Sequence, residues 1–393
     1  MALSNLLRKV RRDTTSGQFI AEIDGLRFMA IMSVMLFHLG GGDAALTHRS
    51  TAADPLAALL SRGDVGVMLF FIISGFVIAL PFAKAHLFGE RLPRLRDYFA
   101  RRLTRLEPPY VVNLLLLFLL LWLAGHRTLQ VLLPHLLASV FYQHNVIYGA
   151  MSSINVVAWS LEIEFQFYAL APAIAAVFLI RSKTWRRIVL ALGIAAFAIL
   201  SLAVGTSSPR FLLSLPHFAQ FFLTGFLLCD IYLVDWRSAP QRLSLTWDAV
   251  SVIAWAAIPA VLFFGEAGMF FVPAIALAAY VAAFKGTWSN RFFRHPLIYT
   301  IGGMCYTIYL YHVHIMGAFS RAFAHVPQLQ TWPLWLTIIV TALVEIPAVL
   351  LICAGFFIAV EKPCMKKGWY RPIVARLRPS PAVTGVSFAP PPD

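Results

Sequence analysis

Residues 23–38 read IDGLRFMAIMSVMLFH, an apolar stretch with an arginine, Arg27, and a histidine, His38, eleven positions apart. At 100° per residue, eleven steps make about three turns and roughly 16 Å of rise, so both side chains share one helical face. Ionisable side chains in a lipid-spanning helix are costly and line a protein interior or a pathway rather than lipid. One strip of one helix therefore joins a fixed cation near one membrane surface to a proton acceptor deep in the span. The pattern predicts chemistry conducted across a bilayer.

The rest of the chain has the composition that reading requires. Of its 393 residues 60% are hydrophobic and 13% charged, and the mean hydropathy is +0.75, outside the balance of soluble domains. Apolar runs near twenty residues recur, so the expected fold is all-α, a polytopic membrane protein of about ten transmembrane helices. The spans are expected near 23–41, 64–83, 109–125, 158–180, 187–204, 211–234, 247–264, 268–284, 297–319 and 333–359. The stretch 129–148 carries Pro134, His135, Gln143, His144 and Asn145 and is read as a re-entrant or surface-lying piece. With ten spans, only Arg49, Arg62, Arg127, Arg210 and Arg321 of the 32 Lys and Arg fall opposite the termini. That partition makes both termini cytoplasmic, and an eleventh span would spoil it. The expected organisation is a basic cytoplasmic segment over 1–20, a transmembrane domain over 21–362 and a cytoplasmic tail over 363–393, disordered from about 379.

A net charge of +14 could point to nucleic acid, but the basic residues sit in short blocks between spans, which suits topology and anionic lipid. The first twenty residues lack the apolar core of a cleavable leader. Cys229, Cys305, Cys353 and Cys364 lie in or beside spans without metal-ligand spacing, so neither a metal site nor a disulfide framework is expected.

Several residues could carry chemistry. His38 is a general-base candidate, the alternative being a histidine bonded to a backbone carbonyl. Glu164, in WSLEIEFQFY (residues 159–168), falls about 8 Å into the fourth span, at the depth of His38. It could orient His38, stabilise its protonated form or grip an acceptor hydroxyl. Glu162 points about 200° round the helix from it and is either a surface anchor or a substrate contact. In RLPRLRDYFARRLTRLEPPY (residues 91–110), Arg102 and Arg105 are three apart and neighbours on a helix, a spacing suited to clamping phosphate oxygens. Lipid headgroups and topology explain such arginines equally well. Pro108 and Pro109 are expected to open the third span. Ser74-Gly75 permits close helix approach. His312 and His314 fall at the depth of His38 and suggest a polar chamber. Glu345 is either a lining residue or a buried contact.

Together these segments resemble the acyltransferase-3 family of integral-membrane O-acyltransferases. IDGLRFMAIMSVMLFH resembles its opening signature, GVMLFFIISGF its glycine-aromatic second span and FARRLTRLEPPY its arginine-x-x-arginine element. WSLEIEFQFY resembles its tryptophan-serine-leucine block and YTIYLYH its late tyrosine-rich segment, so the likeness runs from about residue 20 to 315. Two features depart from the pattern: Glu162 stands where a small residue is usual, and Phe165 where a second carboxylate is common. No hydrolase-like extension of the kind some members carry is expected, so acyl transfer is expected to finish within the membrane bundle.

The resemblance implies transfer of an acyl group, commonly acetyl, from cytoplasmic acyl-CoA to a hydroxyl, usually of a sugar. In that reading Arg27, Arg102 and Arg105 hold CoA phosphates, His38 is the base, Glu164 supports it, and Glu162, Tyr168 and His312 contact the acceptor. Acyl-CoA is a co-substrate, and no bound cofactor is expected. The expected acceptor is lipopolysaccharide, exopolysaccharide or another surface glycan, at the inner (plasma) membrane. Two alternatives stay open: acylation of a small glycosylated molecule such as a macrolide, and a proton-coupled transporter using His38, Glu164 and His312 as a relay. The arginine pair discriminates, because a carrier needs no phosphate clamp.

Overall fold

The computed structural model describes residues 10–12, 19–125, 127–236, 243–366 and 368–370. Its main helices are α1 (Ala21–Leu46), α2 (Val65–Phe88), α3 (Leu95–Leu123), α4 (Leu129–Val140), α5 (His144–Tyr148), α6 (Trp159–Ile174) and α7 (Lys183–Val204). They continue as α8 (Leu215–Val234), α9 (Leu245–Val261), α10 (Val272–Lys285), α11 (Pro296–Gly303), α12 (Cys305–Phe323) and α13 (Leu334–Phe356). Eight helical stretches among the described residues are long and apolar enough to cross a membrane. The chain is an all-helical, multi-pass membrane protein.

Helix α1 is the hub, packed against α2, α11, α12 and α13. It buries Ile23, Leu26, Ala30, Ile31, Val34 and Met35 at three- and four-residue spacing, the stripe that a helix presents to a core. Helix α2 is almost wholly internal and crosses α8 at a pair of glycines. A Cβ at Gly75 would collide with the carbonyl of Phe222, and one at Gly225 with the carbonyl of Ile72. Only hydrogen on both sides lets the two backbones touch.

Three expectations need correcting. The third span does not open at Pro108–Pro109: α3 begins at Leu95, so the basic stretch and the apolar stretch form one helix with both prolines inside it. Pro108 lacks the N–H that would bond the Thr104 carbonyl, and the Trp369 indole takes that carbonyl instead, at 2.8 Å. The span expected over 268–284 is the 14-residue α10, about 21 Å long and short of the hydrocarbon core. The span expected over 297–319 is broken at Met304 into α11 and α12. The break follows Gly302 and Gly303, poor helix formers, at a point where a Cβ on Gly302 would collide with the Asp24 carbonyl.

The stretch 129–148 forms two short helices, α4 and α5, neither long enough to span. At 12 residues α4 rises about 18 Å. After α13 the chain continues in a π-helical turn, Phe357–Glu361. That turn sends the Glu361 carboxylate to the start of α12, where it accepts from Thr307 N at 3.2 Å and Thr307 Oγ1 at 2.6 Å. The four cysteines are free thiols. Most of the 1–20 segment and the expected disordered tail lie outside the described residues.

Candidate active site

Five of the eight expected residues converge on one cavity. Arg27, Arg102, Arg105, Glu164 and Tyr168 all line a space of about 770 Å³ walled by α1, α2, α3, α6, the first turns of α12 and Glu361. Arg91, Arg94 and Arg101 are exposed at its rim, so one end of the cavity is strongly cationic.

That end is more elaborate than a pair of arginines. Arg12, preceding α1, turns into the cavity and bonds Asp24 at 3.0 Å, and Arg27 bonds the same carboxylate. The Nε atoms of Arg12, Arg102 and Arg105 are buried without a hydrogen-bond partner among the described residues. Buried donors are nearly always satisfied, so three orphaned guanidinium donors on one cavity wall suit an anion with several oxygens. Burial, and after it the positive charge of Arg105, pulls the Arg12 guanidinium below its ordinary value, to about 9. It is still protonated at neutral pH, and a bound anion would relieve the crowding.

Arg102 also lies over two aromatic rings. Its guanidinium carbon lies 4.8 Å from the centre of the Tyr168 ring and 5.3 Å from that of Tyr98. The Tyr168 hydroxyl donates to Glu164 Oε1 at 2.5 Å, and Ser74 Oγ donates to the same oxygen. The two rings restrict the guanidinium by cation–π attraction.

The cavity ends where Tyr309 meets Ser160, with their hydroxyl oxygens 2.7 Å apart and Phe70 against the Tyr309 ring. Behind this septum, and not lining the cavity, lie the histidines. The rings of Tyr309 and His312 are 5.9 Å apart, and those of His312 and His38 are 5.0 Å apart. His312 is fully buried and His38 partly so.

The structure therefore groups the expected residues differently from the sequence. It brings Arg27, Arg102, Arg105, Glu164 and Tyr168 together, and it pairs His38 with His312. It does not bring Glu164 to His38: Glu164 bonds Ser74 and Tyr168, and the ring beside His38 is that of His312. Glu162 is buried away from the cavity, its Oε2 accepting from Asn145 N at 2.7 Å at the start of α5. Glu345 is buried in α13, one turn from Thr341, which donates to Asp43 Oδ2 at 2.5 Å.

Four lining residues escaped the sequence reading. Ser160 and Tyr309 lay inside motif blocks, but nothing in their spacing says they bond each other. Arg12 belongs to a basic block that topology already explains. Glu361 depends on a π-helical turn, which leaves no periodic signal.

The fold and cavity define a class of multi-pass helical membrane protein with a cationic cavity, whose Tyr309 wall backs onto a pair of histidines. A family model described as an acyltransferase domain matches residues 20–358. The chain belongs to this acyltransferase-3 family. It is 24% identical to the peptidoglycan O-acetyltransferase OatA of Listeria monocytogenes over 381 residues, 90% of this chain and 57% of that protein. It is likewise 24% identical to the O-acetyltransferase OatA of Staphylococcus aureus (strain NCTC 8325 / PS 47) over 383 residues, 90% of this chain and 58% of that one. The chain thus spans little more than half the length of the curated relatives it matches. No solved structure matches it.

Proposed function

We propose that this chain is a membrane O-acyltransferase moving an acyl group, acetyl in the first instance, from acyl-CoA to a hydroxyl of a surface carbohydrate. One observation carries the reading: three buried, unpartnered guanidinium donors in a cavity whose Tyr309 wall backs onto a histidine pair. Arg27, Arg102 and Arg105 hold the CoA phosphates at the cationic end, which faces the cytoplasm of a cell with this protein in its plasma membrane. The pantetheine arm extends along the cavity and brings the thioester to the Tyr309–Ser160 contact, which has to part for the thioester carbonyl to meet the acceptor at His38. Along α1 the distance from Arg27 to His38 is roughly 16 Å, a reach suited to that arm.

His38 takes the proton of the acceptor hydroxyl as the oxygen attacks the thioester carbonyl. The C–O bond forms, the C–S bond breaks, and His38 returns the proton to the departing thiolate. Glu164, held by Ser74 and Tyr168, supplies negative charge on the wall, where it accepts from an acceptor hydroxyl and keeps Tyr168 under Arg102. The name of the Listeria relative supports a glycan acceptor.

The test is transfer of label from radiolabelled acetyl-CoA to glycan in membranes containing the full chain. His38→Ala should abolish transfer while membrane insertion persists. Retained turnover in that variant would remove His38 as base.

A further inference from the structure

The histidine pair has an internal asymmetry. Nδ1 of His312 lies 3.0 Å from the Ile308 carbonyl oxygen and 2.9 Å from that of Tyr309. Carbonyl oxygens only accept, so Nδ1 carries the hydrogen and Nε2 of the neutral ring carries the lone pair. That Nε2 is buried and has no hydrogen-bond partner among the described residues. A buried acceptor without a donor is costly unless something supplies a proton to it. The ring of His38 lies beside that of His312, 5.0 Å away between centres. The same protein shows what that separation permits at a smaller tilt: His135 and His144 also have ring centres 5.0 Å apart, at 32° against 59° for His38 and His312, and their nitrogens are hydrogen-bonded at 2.8 Å.

We infer that His312 is the positioning residue for His38: a small rotation of the His38 ring lets the unpartnered Nε2 lone pair of His312 accept its N–H, and so fixes which His38 nitrogen is left bare to act as base. The inference rests on the reading of His38 as base and adds to it the residue that sets its tautomer. In a hydrolase triad a carboxylate does this work. Here a neutral imidazole does it, itself locked by the α12 backbone. A carboxylate at this depth would be a second buried ion, whereas imidazole supplies an acceptor without charge. During transfer the acceptor proton goes to the bare nitrogen of His38, the other N–H keeps its bond to His312, and the proton then leaves with the thiolate. His312 thus never needs to be charged.

The test uses the full chain in membranes, with His38→Ala, His312→Gln and His312→Phe compared in acetyl transfer. Gln can place an amide oxygen near the Nε2 position, so it should keep turnover within about tenfold. Phe fills the space but accepts nothing, so it should lower kcat by about 10²-fold, with KM for acetyl-CoA unchanged. Wild-type turnover in the Phe variant, or equal loss in Gln and Phe, would overturn the inference. An active His38→Ala variant would instead strike the base itself and is separately readable. Nitrogen-15 spectra of histidine-labelled wild-type protein test the point without any substitution. His312 should be the Nδ1–H tautomer with a hydrogen-bonded Nε2, and an Nε2–H tautomer would refute the assignment.

Discussion

The guanidinium of Arg102 lies 4.8 Å above the ring of Tyr168, one turn of α6 beyond the carboxylate to which that tyrosine donates. The contact restricts a long, flexible side chain before any ligand arrives, lowering the entropic cost of binding. It also makes the arginine specific. Lysine has neither the planar face for stacking nor the fork for two phosphate oxygens. Arg102→Gln should raise KM for acetyl-CoA about 10- to 100-fold, the worth of a hydrogen bond to a charged group. Arg102→Lys should recover little of it. A lysine variant with wild-type KM would show that charge alone is read.

Tyr168 has two separable parts. Tyr168→Phe keeps the ring beneath Arg102 and deletes the donor to Glu164, leaving Ser74 on that oxygen. Donor KM should stay within about twofold while kcat falls about tenfold, as expected for loss of one charged hydrogen bond. Steady-state kinetics at saturating acceptor distinguishes the two, and a rise in KM alone would place the hydroxyl in donor binding.

Away from the cavity, α7 and α8 are joined by an ion cluster. Asp230, fully buried, accepts from Arg186 Nε at 2.5 Å and from Arg187 Nε at 2.7 Å. Arg186 is itself 1% exposed, so removing the carboxylate strands a buried charge. Asp230→Ala should cost about 3–5 kcal/mol of stability. Unfolding in detergent measures it, and a change below about 1 kcal/mol would mean that the cluster is hydrated.

The comparison of sequence with structure divides along a physical line. Spans, the Arg102–Arg105 neighbourhood and the inward face of α1 were legible because hydropathy and helical period act within one segment. The short helices at 129–148 were legible from their polar residues. The partners of Glu164 were not legible, because similar depth in the membrane leaves the angular position of a helix in the bundle open. Similarly, two prolines read as a helix start because sequence alone does not show Trp369 reaching back to the freed Thr104 carbonyl. The His38–His312 pairing required α1 and α12 to pack together, and no local pattern encodes that.

Glu162 offers the sharpest separation of a structural from a substrate-contacting carboxylate. The sequence put it two residues from Glu164 and allowed it either role. In the fold its Oε2 takes the backbone N–H of Asn145, while the Asn145 side chain donates to the Trp159 carbonyl at 2.8 Å, so together they pin the start of α5 to the start of α6. Glu162→Ala leaves that N–H unsatisfied and should destabilise the protein by about 1–3 kcal/mol. Glu162→Gln retains an acceptor oxygen and should cost well under half of that. Because Glu162 does not line the cavity, donor KM and acceptor KM should both remain within about twofold in the Gln variant. Thermal unfolding and kinetics on the same preparations decide the matter. A Gln variant of normal stability whose acceptor KM rises tenfold would restore Glu162 to the acceptor site.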